Sequence, residues 1–440
     1  MVIEVVKVKY NEQDVGAVSF NTETGVGAFE FESRFIKSGI EISPVKMPLS
    51  KKIYSFPENN NETFKGLPGM IADSLPDDFG NAVMNAWIAS QGKSTTDITP
   101  LQRLQYTGRR GMGALTYSPA IQRKNLNRSQ HVEIQSLISI AQEILNKREQ
   151  FKVTLGAQGK EDKDAMMALL SVGMSAGGAR PKAVLAFNND FTQVRSGQTN
   201  APEGFTHFVI KFDGVSEIHK NKETFGDPMG YGTMEYVYHL MAKACGIDMM
   251  PCQLLDEGNR RHFITQRFDR KGNQKIHVQT LNGIAHVDYK KVGSYSYEEL
   301  FSLARELKLT PDDAMQIFKR MAFNIIARNH DDHSKNFGFM LDHQHKWQLA
   351  PAYDLAYSYK PGSPWVSSHW MKLNGKRDSF IREDFYSLKK ISPIFTKRKI
   401  DQIIEKITEH VSEWNDLAIE HSVPQSLIKL ISSNLRLKIQ

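Results

Sequence analysis

Asn329-His330-Asp331-Asp332-His333-Ser334-Lys335-Asn336, followed by Pro351-Ala352-Tyr353-Asp354, is the stretch on which the reading of this chain turns. It crowds acid, amide and imidazole groups into one short loop and sets a further acid 18 residues beyond Asn336. A carboxylate aimed at a substrate hydroxyl, five residues before a metal-binding amide, with a second metal-binding carboxylate after a hairpin, is the spacing by which a phosphotransferase surrounds a phosphoryl donor. Asp331 has that spacing from Asn336, and Asp332 beside it is its rival for the role of base.

The flanks agree with this reading. Thr310-Pro311-Asp312-Asp313 predicts a helix start, with Thr310 as N-cap, Pro311 at the first helical position and Asp313 closing a capping box. Ala314, Ile317, Phe318, Met321, Ala322, Ile325 and Ile326 then recur at the spacing of one buried face, and the pattern stops at Asn329. Phe337–Leu341, a polar turn and Trp347–Ala350 predict a β-hairpin. Helix, polar loop, hairpin and acid follow the order of a kinase large lobe. A metal-dependent hydrolase built on His330, Asp331, His333 and Asp354 would need further ligands on helices, and no partner histidine stands at helical spacing upstream.

Length and composition bound the rest. The 440 residues are enough for two or three domains with full cores, and the apolar and charged fractions are those of a soluble globular protein. No apolar run is long enough to cross a bilayer, and no basic-then-apolar signal opens the chain, so no membrane role and a cytoplasmic location are expected. Cys245 and Cys252 offer no disulfide framework and lack zinc spacing; they read as buried structural thiols. The net charge of +7 permits a polyanionic partner without requiring one.

Three sections follow from the patterning: residues 1–128, residues 129–270 and a mainly helical 271–440. The first opens on strand-like alternation and reaches a helix near Asp77 to Ala89; Gln122 to His131 reads as a linker. The last ends on the long helical pattern Ile400, Ile403, Ile404, Ile407, Val411, Trp414, Leu417.

The middle section holds what a nucleotide lobe requires. In Ser175-Ala176-Gly177-Gly178-Ala179-Arg180-Pro181-Lys182, adjacent glycines let amides turn toward an anion, and Arg180 and Lys182 add charge. Lys211 ends the apolar strand Phe208–Lys211, where a lysine must be paired or lie at an edge facing water. Glu235, read as opening a helix that Gly246 caps, is the available partner. In the hairpin that follows, the backbone of Gln266 to Phe268 reads as a hinge for an adenine edge, with Phe268 stacking on the base.

Taken together, these segments resemble the HipA family of bacterial serine/threonine kinases, the toxins of HipA–HipB toxin–antitoxin pairs. Leu67–Asp77 and Thr107–Ala114 carry the resemblance in the N-terminal part, and Ser175–Lys182, Phe208–Lys211, Gln266–Asp269, Asp331-x-His333-x-x-Asn336 and Tyr353-Asp354 carry it in the kinase part. The resemblance implies an α+β, bilobal protein-kinase-like fold with an N-terminal α/β accessory domain and a mainly helical C-terminal lobe. It implies ATP and Mg²⁺ as cofactors. It makes Asp331 the catalytic base, Asn336 and Asp354 the metal ligands and Lys211 the lysine on the nucleotide phosphates. His333 and Tyr353 fall on nucleotide-contacting positions, Gly177, Gly178, Ala179, Arg180 and Lys182 on the phosphate loop, and Ser175 on the serine that such kinases autophosphorylate. A phosphate there would repel the phosphates the loop cradles, giving self-inactivation. The implied partners are a HipB-like antitoxin, operator DNA through it, and a protein substrate such as glutamyl-tRNA synthetase or another aminoacyl-tRNA synthetase. Gly178, Arg180-Pro181, Gln266 and Asp332 depart from the family pattern. The rival from another class is a non-catalytic corepressor joining an antitoxin on operator DNA, using Lys389-Lys390 and Lys397-Arg398-Lys399.

Overall fold

The computed structural model describes residues 3–90, 92, 94, 98–120, 134–147, 180–216 and 226–439. Its contacts divide the chain into two compact units. The first comprises Met1–Ser43, Met47–Gly232 and Gln253–Val278; the second comprises Pro44–Lys46, Thr233–Cys252 and Gln279–Gln440. Both mix helix with sheet.

In the first unit the alternating segments form β1 (Ile3–Tyr10), β2 (Gln13–Asn21) and β3 (Val26–Phe31). They join β4 (Leu115–Ser118) in a sheet of order β3-β2-β1-β4. Helices α1 (Asp78–Ser90), α2 (Pro100–Thr107) and α3 (Ile134–Lys147) accompany it. A second sheet contains β5 (Lys182–Asn188), β6 (Val194–Ser196), β7 (Phe205–Lys211), β8 (Cys252–Glu257) and β9 (Arg260–Gln266), in the order β8-β9-β7-β5-β6. Phe79, Val83 and Trp87 of α1 share one buried core with Leu137 and Ile138 of α3 and with Leu185, Phe208 and Ile264 of this sheet. Residues from the first two sequence sections are therefore packed around common apolar surface, the dominant stabilising term for such a unit. The linker segment Gln122 to His131 lies outside the described residues.

The second unit is built on α4 (Tyr231–Ala244), α5 (Tyr297–Glu306), α6 (Pro311–Ile326), the hairpin β10 (Gly338–Leu341) and β11 (Trp347–Leu349), and α7 (Lys397–Ser412). α6 packs against both α5 and α7. The capping box at its start has formed: Asp313 N donates to Thr310 Oγ1 at 3.1 Å and Thr310 N to Asp313 Oδ2 at 3.0 Å. Ile317, Phe318, Met321, Ala322, Ile325 and Ile326 are buried as the spacing requires. α4 begins at Tyr231, so Glu235 lies inside the helix rather than opening it. Gly246 ends it in the left-handed region at φ +72. Gly246 N bonds Lys243 O at 2.9 Å and Ile247 N bonds Ala242 O at 3.1 Å, the Schellman pattern that favours glycine. The long terminal pattern is broken at Glu413, which closes α7 and opens a separate helix, Trp414–Glu420. Cys245 is buried, but Cys252 is half-buried, its thiol 3.3 Å from Met250 O, so only one cysteine fits the buried reading. Among the described residues no helix is long and apolar enough to cross a membrane.

Candidate active site

The loop after α6 is held by backbone before any side chain acts. Arg328 takes a left-handed conformation at φ +59 and turns the chain out of the helix. Ser358 N then donates to Arg328 O at 3.0 Å and His330 N to Ser358 O at 3.1 Å, pinning the loop along the segment that follows Asp354. Successive residues of the extended stretch face opposite ways. That alternation separates the two aspartates. Asp332 is fully buried and accepts from Tyr297 Oη at 2.7 Å, Trp370 N at 2.7 Å and His369 Nδ1 at 3.0 Å. A buried carboxylate is tolerated only with such partners. Asp331 keeps 41% of its side chain exposed, with Oδ1 3.8 Å from His333 Nε2. Asp332 is thus a strut, and the accessible carboxylate of the pair is Asp331. Burial, and then Asp332 beside it, holds the Tyr297 phenol well above its ordinary range, so it remains a donor.

Asn336 closes the loop. Its Nδ2 donates to Asp331 O at 2.8 Å, which leaves Oδ1 as the end able to meet a cation. Tyr353 Oη donates to Lys335 O at 2.7 Å and so ties the hairpin's far end to the same loop. Asp354 adopts φ +53, a left-handed backbone that non-glycine residues hold only where the surroundings impose it. Asn336, Tyr353 and Asp354 line one cavity together with Asn324, Asn329 and Asp332. Asn329 Nδ2 donates to Asn324 Oδ1 at 2.9 Å and to Asp354 O at 3.3 Å, while its Oδ1 is buried without a hydrogen-bond partner. Among the described residues no group of three or more His, Cys, Asp or Glu side chains converges as a metal cage. Two oxygen donors around a polar cavity suit Mg²⁺, which keeps water and phosphate ligands, and do not suit zinc.

Sequence reasoning missed the second layer: Arg320, whose Nη2 donates to Ala350 O at 2.7 Å, Asn324, Tyr297, His369 and Trp370. Arg320 and Asn324 were legible in principle, as polar residues four apart on the buried face of α6. His369 and Trp370 had no local signal, since 37 or more residues separate them from Asp332.

In the first unit, Lys211 ends β7 opposite Lys182 of β5 and Phe263 of β9. It is buried, with Nζ 5.7 Å from the centre of the Phe263 ring, so the edge-strand alternative fails. Glu235, also buried, is on α4 in the other unit. The reading of Lys182 as a phosphate-loop cation needs correction. Its Nζ lies 3.2 Å from Asp77 Oδ2 with both side chains 3% exposed, because a lysine on the covered face of a central strand must take a carboxylate partner inside. Arg180 is half-buried, 6.0 Å from the Tyr231 ring centre. Ser175, Gly177, Gly178 and Ala179 lie outside the described residues. Gln266 and Phe268 are half-buried, and between them Arg267 N donates to His207 O at 2.9 Å, which commits that amide. The stretch after it is locked by Asp269, fully buried, which accepts from Arg267 Nε and Nη2 at 2.8 Å each, from Arg270 Nη1 at 2.7 Å and from Gly113 N at 2.7 Å. Burial alone would raise this carboxyl; the two guanidiniums overcome it and hold Asp269 well below its ordinary value. Gly113 has φ +70, and a Cβ there would sit 3.2 Å from Val278 N.

Buried imidazoles give a pH signature. Burial pushes His277 and His239 down to about 4 and His330, with His369 and Arg328 adding to it, down to about 2. Each is neutral when folded and titrates near 6.5 when unfolded. The unfolded chain therefore binds more protons below about pH 6.5, and stability is lost as pH falls from there toward 4. Thermal unfolding followed between pH 7.5 and 5 should show a falling midpoint; a flat profile would mean these rings are solvated.

The fold is that of an α+β protein whose first unit carries the two larger sheets and whose second unit carries the Asn329–Asn336 loop. A family model described as "HipA N-terminal domain" matches residues 6–118, and one described as "HipA-like C-terminal domain" matches residues 174–414. The chain belongs to the HipA family. It superimposes on Shewanella oneidensis MR-1 HipA, from a complex of that HipA with HipB and its operator DNA, with a TM-score of 0.65 at 16% identity over 98% of this chain and 96% of that one. Two curated relatives carry the name "Putative kinase": Y4mE of Sinorhizobium fredii, 25% identical over 41% of this chain and 47% of its own length, and a Haemophilus influenzae protein, 29% identical over 28% and 39%. The matched region spans less than half the length of either curated relative.

Proposed function

We propose that this protein is an ATP- and Mg²⁺-dependent serine/threonine kinase acting as the toxin of a toxin–antitoxin pair. The observation that carries the reading is the division of labour in one loop: a structural, fully buried Asp332 beside an accessible Asp331, five residues from an Asn336 that shares a cavity with Asp354. Asp331 orients the acceptor hydroxyl and takes its proton. Asn336 Oδ1 and Asp354 are the groups that would hold Mg²⁺, and the unpartnered Asn329 Oδ1 in the same cavity would accept from water of a hydrated ion. When bound, Mg²⁺ and ATP supply the transferable phosphoryl group and neutralise its charge. The nucleotide-side roles read for Lys211, Glu235, Arg180, Gln266, Phe268, His333 and Tyr353 belong to the same proposal, as does modification of Ser175 with loss of activity. A HipB-like antitoxin, with operator DNA bound through it, and a translation component such as an aminoacyl-tRNA synthetase are the proposed partners. The Shewanella relative, from a complex with HipB and DNA, supports the first of these.

Incubation with Mg²⁺ and ATP, followed by intact-mass and peptide mapping, tests the reading. One added phosphate on Ser175 is expected. No phosphate together with no ATP binding by calorimetry would sink the kinase and leave the second reading, a corepressor whose exposed Lys389, Lys390, Lys397, Arg398 and Lys399 meet an antitoxin–DNA complex.

A further inference from the structure

Two cavities of the second unit adjoin the Asp331–Asn336 loop. One is lined by Asn336, Tyr353 and Asp354. The other lies against His333 and Ser334 and is lined by Tyr289, Lys291, Tyr295 and Trp370 among others. A line of rings runs from it to the surface. Tyr289 lies 5.8 Å from His333, His333 meets Trp370 edge-on at 5.6 Å, and Trp365 stacks on Trp370 at 5.7 Å with the planes 9° apart. Trp370 is 7% exposed, and its indole N–H is buried without an acceptor. Trp365, by contrast, is 47% exposed. Its position is built rather than incidental: Ser363 Oγ, on a buried residue, accepts from Trp365 N at 3.2 Å and Val366 N at 3.3 Å.

Cations gather around the Tyr289 end of this aromatic line. Lys335 and Lys290 place Nζ 4.3 and 5.9 Å from the Tyr289 ring centre, Lys291 is exposed at the cavity, and Arg377 and Lys372 approach Gly293 beside it. The carboxylates nearby are Asp288, whose Oδ1 already accepts from Lys290 N at 2.9 Å, Asp331, the buried Asp332 that accepts from Trp370 N, and Glu299 and Glu306, which act on Tyr295. A half-exposed tryptophan held in place on a buried one has the residue type and support that interface anchors use.

Resting on the kinase reading, we propose that this second cavity and the Trp365–Trp370 stack form the acceptor-side docking surface. Its occupant is an extended segment of a substrate protein in which the target serine or threonine has an apolar neighbour and acidic flanks. The apolar neighbour covers Trp365, the acidic flanks meet Lys290, Lys291 and Lys335, and a backbone carbonyl satisfies the Trp370 indole N–H. Both cavities adjoin the loop that carries Asp331, so a segment docked here lies against the loop that carries the base.

A positional peptide array tests this with the full-length protein, Mg²⁺ and ATP. Each peptide has a central serine or threonine, and every amino acid is placed in turn at each flanking position. The wild-type protein should favour an aromatic or long aliphatic residue at one position, and Asp or Glu at others, by about tenfold over alanine, the scale of an anchoring contact. Trp365→Ala should abolish the apolar preference, and Lys290→Glu with Lys291→Glu should reverse the acidic one. Lys51→Glu with Lys52→Glu, an equal charge change at two exposed residues, should leave both ratios as they are. The readout is a ratio between peptides, so a variant's overall rate does not enter. Transfer without these preferences, or an apolar preference that survives Trp365→Ala, overturns the docking surface and leaves the kinase standing. Phosphate on the protein itself with none on any peptide does the same. No transfer to peptide or protein overturns both.

Discussion

Asp331→Asn is expected to lower phosphoryl transfer by about a thousandfold, within the range general base catalysis supplies, while the fold is untouched. The side chain is 41% exposed and its Oδ1 lies 3.8 Å from His333 Nε2, so replacing one oxygen by nitrogen orphans no buried donor. The Asn336 contact is to the Asp331 main-chain carbonyl and survives the change. Unfolding midpoint and ATP affinity should therefore match the wild type as the rate collapses. Full transfer in the variant would move the base elsewhere.

One residue along, the expectation inverts. Asp332→Ala deletes the acceptor shared by the Tyr297 hydroxyl, the Trp370 amide and the His369 ring, and all three groups are buried. Removing one partner from a buried network of this kind costs about 3–5 kcal/mol, because the groups left behind are desolvated and unpaired. For a domain of this size that is on the order of 10 °C in midpoint. Activity should fall in step with the folded fraction and recover on cooling. Calorimetry on the two single variants side by side separates chemistry from scaffolding, and equal midpoints would refute the strut.

Much of this was readable before any coordinates. Helix α6 could be placed because its cap is local, Thr310 to Asp313, and its apolar period survives sixteen residues without a break. The hairpin and Asp354 followed from alternation and a polar turn. What escaped was long-range. Asp331 and Asp332 are the same residue type in adjacent positions, and only Tyr297, His369 and Trp370, distant in sequence, tell them apart. Lys182 looked like a loop cation because Asp77, its partner, is more than a hundred residues away. Glu413 gave no warning that it would split the terminal helix, since it interrupts the backbone without interrupting the apolar period.

The shared core of the first unit has a practical meaning for anyone dissecting this protein. Two family models, ending at residue 118 and beginning at residue 174, invite a cut between them as though evolution had marked a seam. Physically there is no seam. A fragment starting at the second model would lose Phe79, Val83 and Trp87 from the apolar surface of Leu185, Phe208 and Ile264, and would leave the Lys182 ammonium in the interior with no counter-charge. Ancestral modules can be heritable separately and still be unable to stand apart. Here the smaller piece behaves less like an accessory than like a missing wall, so the shortest expressible catalytic fragment should have to retain Asp77 and its helix.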